Sequence, residues 1–194
     1  MTAGCSLLIL AGGSSRRMGR DKAALPVGRV SLLEHLARRL SPVVDEILVA
    51  GGAQPQPIPS VRTVADVYGG RGPLAGMHAG FLEARQPSVW VVACDLPEVE
   101  PQLAPLMLGY TTDVDAVVPR PYGEPEGVCA IYRRELAPRI EALLKAGQQS
   151  VKQLLTSIRV RYLEAEELRA VDPELGSFRN LNTPADYQAW ISSR

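Results

Sequence analysis

The chain is poor in histidine, cysteine and aromatic residues, and it has no excess of either charge. Its 194 residues include two histidines, His35 and His78, too few for a histidine-rich metal centre. The three cysteines, Cys5, Cys94 and Cys129, are odd in number, isolated in the chain and without Cys-x-x-Cys spacing. Set in apolar surroundings, they favour buried free thiols over a disulfide framework or a zinc site, which points to the cytoplasm. Lys plus Arg and Asp plus Glu both number 21, for a formal net charge of zero. That balance offers neither a coat for nucleic acid nor attraction to a membrane surface, so neither is expected as a partner. Long hydrophobic runs are also missing. The run Leu7–Ala11 falls far short of the roughly 20 apolar residues that cross a bilayer, and Met1–Gly4 carries no basic leader segment. Internal repeats and low-complexity tails are absent as well.

What is present is an ordinary globular composition, 46% hydrophobic and 22% charged, at a length that favours one domain over residues 1–194. Short apolar runs alternate with helical patterns, the signature of an α/β domain with a mostly parallel sheet. Cys5–Leu10 is continuously apolar, as in a strand buried on both faces. Ser31 and Glu34 read as a capping box, and Leu32, Leu33, Leu36 and Leu40 form the apolar stripe of the helix it opens, which Pro42 stops. Strands are expected at Glu46–Ala50, Val61–Ala65, Val89–Cys94, Ala116–Val118, Val128–Tyr132 and Val160–Leu163. Val89–Cys94 is the most apolar of these and should be central. The short turn-rich link between the fourth and fifth predicts an antiparallel pairing. Helices are expected from about Leu74 to Ala84, over Pro101–Leu108 and over Glu135–Ala146, the last ended by Gly147. Ser150–Leu155 and a segment opened by Thr183-Pro184 also read as helical.

Basic residues cluster at one place, the turn Leu10-Ala11-Gly12-Gly13-Ser14-Ser15-Arg16-Arg17-Met18-Gly19-Arg20-Asp21-Lys22. It follows the first strand directly, where open α/β sheets bind ligands. Glycines let backbone N–H groups approach an anion closely, and Arg17 and Lys22 can add charge-assisted bonds to phosphate oxygens. The alternative is a turn-rich connection with solvated arginines. Two common phosphate cradles are excluded. The glycines are adjacent, unlike Gly-x-Gly-x-x-Gly, and Gly19 is followed by Arg20 and not by Lys-Ser/Thr.

Asp95 stands at the carboxyl end of the most apolar strand. There it can face the ligand crevice and hold Mg²⁺, which needs only one or two carboxylates beside substrate phosphates, or it can cap the following turn. Asp66 ends the third strand with the same two options. The stretch Gly72–Gly76 either supports a nucleotide or lets a helix pack closely on the sheet through Gly76. Asn180 and Asn182 flank Leu181 in an extended segment, so both amides share one face. They can bind substrate or metal-bound water, or satisfy the backbone of a tight connection. Cys94 is expected in the core.

The segments Leu10-Ala11-Gly12-Gly13, Arg17-Met18-Gly19 and Asp21-Lys22 resemble the signature of sugar-phosphate and cofactor nucleotidyltransferases. Four later stretches narrow the resemblance to the molybdenum cofactor guanylyltransferase family: Gly72–Gly76, Cys94–Pro97, Pro125–Tyr132 and Asn180–Asp186. Their order and spacing fit that family from end to end. The resemblance implies a single-domain, three-layer α/β/α Rossmann-like nucleotidyltransferase fold. It implies GTP and molybdopterin as substrates, Mg²⁺ as cofactor and transient contact with other molybdenum-cofactor proteins. It also implies site roles. The backbone of Leu10, Ala11, Gly12 and Gly13 would hold nucleotide with Lys22, Asp66 and Asp95. Arg17, Lys22 and Asp95 would serve catalysis, Asp95 as the magnesium ligand, and Asn180 and Asn182 would contact substrate.

One position departs from the pattern. Relatives carry a nucleotide-contacting Asn at the end of the second strand, where this chain has Ala50 followed by Gly51-Gly52. Backbone groups of those glycines can take its place. The competing expectations are transfer from CTP or another triphosphate, a sugar or alditol phosphate acceptor, and a nonenzymatic nucleotide-binding regulator. The last predicts loss of the cradle lysine or the metal aspartate, and both Lys22 and Asp95 are present. An NAD-dependent dehydrogenase is disfavoured by the adjacent glycines.

Overall fold

The computed structural model describes residues 4–12, 21–51 and 58–193. The chain runs β1 (Cys5–Leu10), a small hairpin of β2 (Pro26–Val27) and β3 (Val30–Ser31), α1 (Leu32–Leu40), β4 (Glu46–Ala50), β5 (Val61–Val64), α2 (Gly72–Glu83), β6 (Ser88–Ala93) and α3 (Leu103–Leu108). It continues with β7 (Ala116–Arg120), β8 (Cys129–Arg133), α4 (Ala137–Lys145), α5 (Val151–Leu155), β9 (Val160–Glu164), α6 (Ala165–Leu168) and α7 (Pro184–Ser192). Seven strands form one sheet in the order β5-β4-β1-β6-β8-β7-β9. β5, β4, β1 and β6 are parallel neighbours, β8 pairs antiparallel with both β6 and β7, and β7 pairs parallel with β9. The expected mostly parallel sheet, central sixth strand and antiparallel β7–β8 pair are all present.

The continuous apolar strands have the burial such runs require. Every residue of β1 is buried, because helices cover both faces of the sheet. Leu7 and Ile9 point into one layer with Leu36 and Leu40 of α1 and Met107 of α3. Leu8 and Leu10 point into the other with Met77 and Phe81 of α2, Ile140 of α4 and Leu154 of α5. This is the three-layer α/β/α arrangement. α2 lies very close to β1: a Cβ on Gly80 would stand 2.3 Å from Leu8 Cδ2, and one on Gly76 would stand 2.9 Å from Leu10 Cδ2. Packing through Gly76 is therefore real, and the residue also faces the cavity described below. A third apolar group joins α7 to the hairpin region, Tyr187 and Trp190 packing with Leu25 and Leu32. The Tyr187 hydroxyl donates to the Pro26 carbonyl.

Differences from the sequence expectations lie at ends and in short elements. Ser31 Oγ accepts the Glu34 N–H at 3.1 Å, but the Glu34 carboxylate pairs with Arg38 on the next turn, so the box is half formed. The helix expected from Glu135 begins as a 3-10 turn over Arg134–Leu136, and α4 proper starts where Pro138 lies in its first turn. α3 begins at Leu103, after Glu100 and Pro101 close turn bonds to Leu103 and Ala104. All three cysteines are buried and free. Among the described residues no helix is long and apolar enough to cross a membrane.

Candidate functional site

Four parallel strands end at one edge of the sheet, at Leu10, Ala50, Val64 and Ala93. A cavity of about 550 Å³ opens there, lined by Leu10, Gly12, Ala50, Gly51 and Asp66, by Gly70, Gly72, Pro73 and Gly76, and by Gln149. Its floor is backbone. Ala11 donates its N–H to the Ala50 carbonyl at 2.9 Å, carrying the β1–β4 pairing one residue past the strand. Gly51 has φ +75°, and a Cβ on it would stand 2.7 Å from Gly12 Cα and 2.8 Å from Gly12 N. Only glycine permits that contact, so Gly51 fixes the distance between the two loops. Asp66 Oδ1 accepts the Tyr68 N–H at 2.9 Å, capping the turn, and the residue also lines the cavity.

Beside this cavity stands an ion pair. The Leu10 carbonyl accepts the Cys94 N–H at 3.0 Å, which places Asp95 next to the end of β1. Lys22 begins a 3-10 turn capped by Asp21, whose Oδ1 accepts the Ala23 N–H at 3.0 Å. Lys22 Nζ lies 3.0 Å from Asp95 Oδ2, and the two side chains are 17% and 25% exposed. At that burial the bond is stronger than an open surface pair, yet both groups still reach solvent or ligand.

The asparagine segment meets Asp95 from the other side. Leu181 is buried and donates its N–H to the Asp95 carbonyl at 2.8 Å, which leaves Asn180 and Asn182 exposed on either side. The segment is held by the capping box of α7: Asp186 Oδ2 accepts Asn182 N at 2.9 Å and Thr183 N at 2.7 Å. The Thr183 backbone bond, with help from the Lys22 charge, holds the Asp186 carboxyl below the usual carboxylate range. Lys22, Asp95 and the 180–182 segment thus form one cluster, adjoining the cavity that holds Leu10, Gly12 and Asp66. Gly13 and Arg17 lie outside the described residues.

Two residues that sequence reasoning passed over face the same edge. Gln149 lines the cavity from the loop before α5. Glu126 lies in the turn before β8, where burial, reinforced by the Asp95 charge, pushes its carboxyl above the usual range against a backbone bond from Val128. Glu126 belongs to the Pro125–Tyr132 stretch, so position flagged it while residue type did not. Cys94, next to Asp95, has its thiol pushed up to about 12, chiefly by burial and then by the Asp95 charge, and stays inert.

Among the described residues no group of three or more His, Cys, Asp or Glu side chains could enclose a metal ion. The Asp95 carboxylate is a hard oxygen donor of the kind that Mg²⁺ takes one or two of, beside phosphate and water oxygens.

A sheet of this order, with its one antiparallel strand between parallel neighbours and its crevice at the carboxyl edge, defines the class: a three-layer α/β/α nucleotidyltransferase fold. The family model of the MobA-like NTP transferase domain matches residues 7–164. A probable molybdenum cofactor guanylyltransferase of Pelotomaculum thermopropionicum is 37% identical over 92% of this chain and 88% of its own length. One of Mycobacterium avium is 34% identical over 96% and 95%. The crystal structure of molybdopterin-guanine dinucleotide biosynthesis protein A from Archaeoglobus fulgidus superposes with a TM-score of 0.84 at 27% identity, covering 97% of each chain. The chain belongs to the MobA-like NTP transferase family.

Proposed function

We propose that the protein transfers GMP from GTP to the phosphate of molybdopterin, with Mg²⁺, and releases pyrophosphate. An acceptor phosphate oxygen forms the new bond to the α-phosphorus as the bond to the β-phosphate oxygen breaks. The observation that carries this reading is the half-buried Lys22–Asp95 pair between a glycine-walled cavity and the Asn180–Asn182 segment. The names of the Pelotomaculum and Mycobacterium relatives support the choice of substrates.

In this reading the Leu10–Gly13 backbone and Asp66 hold the nucleotide, and Lys22 and Arg17 neutralise the triphosphate and the departing pyrophosphate. Asp95 would hold Mg²⁺, which when bound supplies positive charge to the phosphate oxygens. Asn180 and Asn182 meet the acceptor. The site needs no general base, because a phosphate monoester with a second pKa of about 6 is already largely ionised at neutral pH. Positioning and charge neutralisation then carry the rate. The same reading places the protein in the cytoplasm, without nucleic-acid or membrane partners, in transient contact with other molybdenum-cofactor proteins.

Incubation with GTP, Mg²⁺ and molybdopterin should yield the guanine dinucleotide by mass spectrometry, with pyrophosphate released in equal amount. Absence of that product overturns the reading. Ala50 favours one second reading, transfer of a different nucleotide, because its methyl group offers no amide to a base. The same assay with CTP, ATP and UTP tests it: a preference for any of these would replace GMP as the group transferred.

A further inference from the structure

A second cavity, about 490 Å³, adjoins the first and shares Pro73 and Gln149 with it as a common wall. It lies between the turn before β8 and α5, and Val128 binds it to the catalytic edge by accepting the Ala93 N–H at 2.8 Å. A ligand in the second cavity would therefore lie across the Pro73–Gln149 wall from a nucleotide in the first. The volume suits a small ring system.

The lining chemistry narrows the ligand. Apolar side chains, among them Pro73, Val151 and Leu155, form walls. The charged residues of the described lining are Glu124, Glu126 and Lys152, one negative charge in balance, which disfavours a phosphate and favours a neutral group rich in N–H donors. Glu124 is exposed and Glu126 half-buried, so Glu126 is the acceptor a bound ligand would meet away from water.

Its backbone is fixed in advance. Glu126 N–H donates to Pro119 O at 2.8 Å, and Glu126 O accepts the Cys129 N–H at 3.1 Å. The next carbonyl, of Gly127, accepts the buried Tyr132 hydroxyl at 2.7 Å. A Cβ on Gly127 would stand 2.6 Å from Val151 Cγ1, so the turn is pressed against α5. A carboxylate held this way can be aimed without further ordering when a ligand arrives.

We propose that this cavity takes the pterin ring of the acceptor, with the Glu126 carboxylate reading its 2-amino-4-oxo pyrimidine edge. That edge presents a ring N–H and an amino N–H side by side, a donor pair that matches the two oxygens of one carboxylate. The inference rests on the proposed reaction, since that reading supplies the pterin. Guanine carries the same edge and is the other source of this chemistry. In the proposed reaction the first cavity takes the nucleotide, so the acceptor is assigned to the second.

The test is fluorescence titration of 6-hydroxymethylpterin against the full chain with saturating GTP present. Pterin should bind without being displaced by GMP. Both Glu126→Ala and Glu126→Gln should weaken it about tenfold while GTP affinity stays unchanged. On the unsubstituted protein, lumazine, with a 2-oxo in place of the 2-amino group, should bind about tenfold more weakly than pterin. The inference is overturned by undetectable pterin binding up to its solubility limit, by equal affinity in the Glu126 variants, by equal affinity for lumazine, or by competitive displacement with GMP. A protein that makes the dinucleotide without Glu126-dependent pterin binding refutes this assignment and leaves the reaction standing. One that binds pterin through Glu126 but makes no dinucleotide refutes the reaction and keeps the pterin site.

Discussion

At the scale of single residues, the Lys22–Asp95 pair joins groups 73 positions apart in the chain. Asp95→Asn keeps the shape and the backbone carbonyl that Leu181 binds, so the fold should survive. Turnover should fall by roughly two to three orders of magnitude, the cost of removing one key electrostatic group, with an unchanged circular dichroism spectrum. Full activity at limiting magnesium would exclude Asp95 as the metal ligand. Lys22→Ala should weaken GTP binding in calorimetry by about tenfold, the loss of one charge-assisted contact; unchanged affinity would remove Lys22 from the cradle. Both residues were legible in the sequence because each has a local sign: a glycine-rich turn behind Lys22, an apolar strand before Asp95. Gln149 and Glu126 have no such sign. They reach the sheet edge through strands and loops that meet only after folding, so residue type is silent about them and position marks only the stretch that contains Glu126. Gly51 is intermediate. Its glycine was visible, but the reason for it, a backbone contact with Gly12, is three-dimensional. Gly51→Ala should cost about 1–3 kcal/mol in unfolding experiments and weaken GTP binding, because the clash is with main chain that cannot step aside.

At the scale of elements, the caps and apolar runs were informative wherever an element was long enough to repeat its pattern. β1 and β6 announced themselves by continuous burial, and α7 by Thr183-Pro184, which forms a full capping box with Asp186. The β2–β3 hairpin has two residues per strand and α6 has four, too short for a period to register. α7 also has a task at the site, since its cap fixes the Asn182 and Thr183 backbone beside Asp95. Thr183→Ala removes the side chain that accepts the Asp186 N–H at 3.1 Å. It should lower stability by about 1 kcal/mol and raise KM for molybdopterin more than KM for GTP. Equal effects on both constants would detach the asparagine segment from the acceptor. The Asp186 part of the cap has a defined pH sense. Its folded carboxyl titrates below its ordinary value, so its contribution is complete above the ordinary carboxylate range and is lost as pH falls through the lowered value.

At the scale of the whole molecule, one sheet edge gathers an open glycine-walled cavity, an ion pair and a second cavity, and the net charge of zero hides this concentration. Such a site is built at some expense to stability, and Glu126 makes that measurable. Burial raises its carboxyl in the folded state, and the nearby Asp95 charge adds to the effect. A carboxyl raised on folding contributes stability that is fully present below its unfolded pKa and is lost as pH rises through the folded value. The fold of the free protein therefore disfavours the ionised form of Glu126, a cost that a donor-rich ligand would relieve. Glu126→Gln cannot ionise. The difference in melting temperature between this variant and the parent should shift in the variant's favour as pH rises from about 4 to about 7, in the absence of ligand. A difference that stays constant across that range would show that Glu126 is not held against ionisation. Its place at the site would then rest on the turn geometry alone.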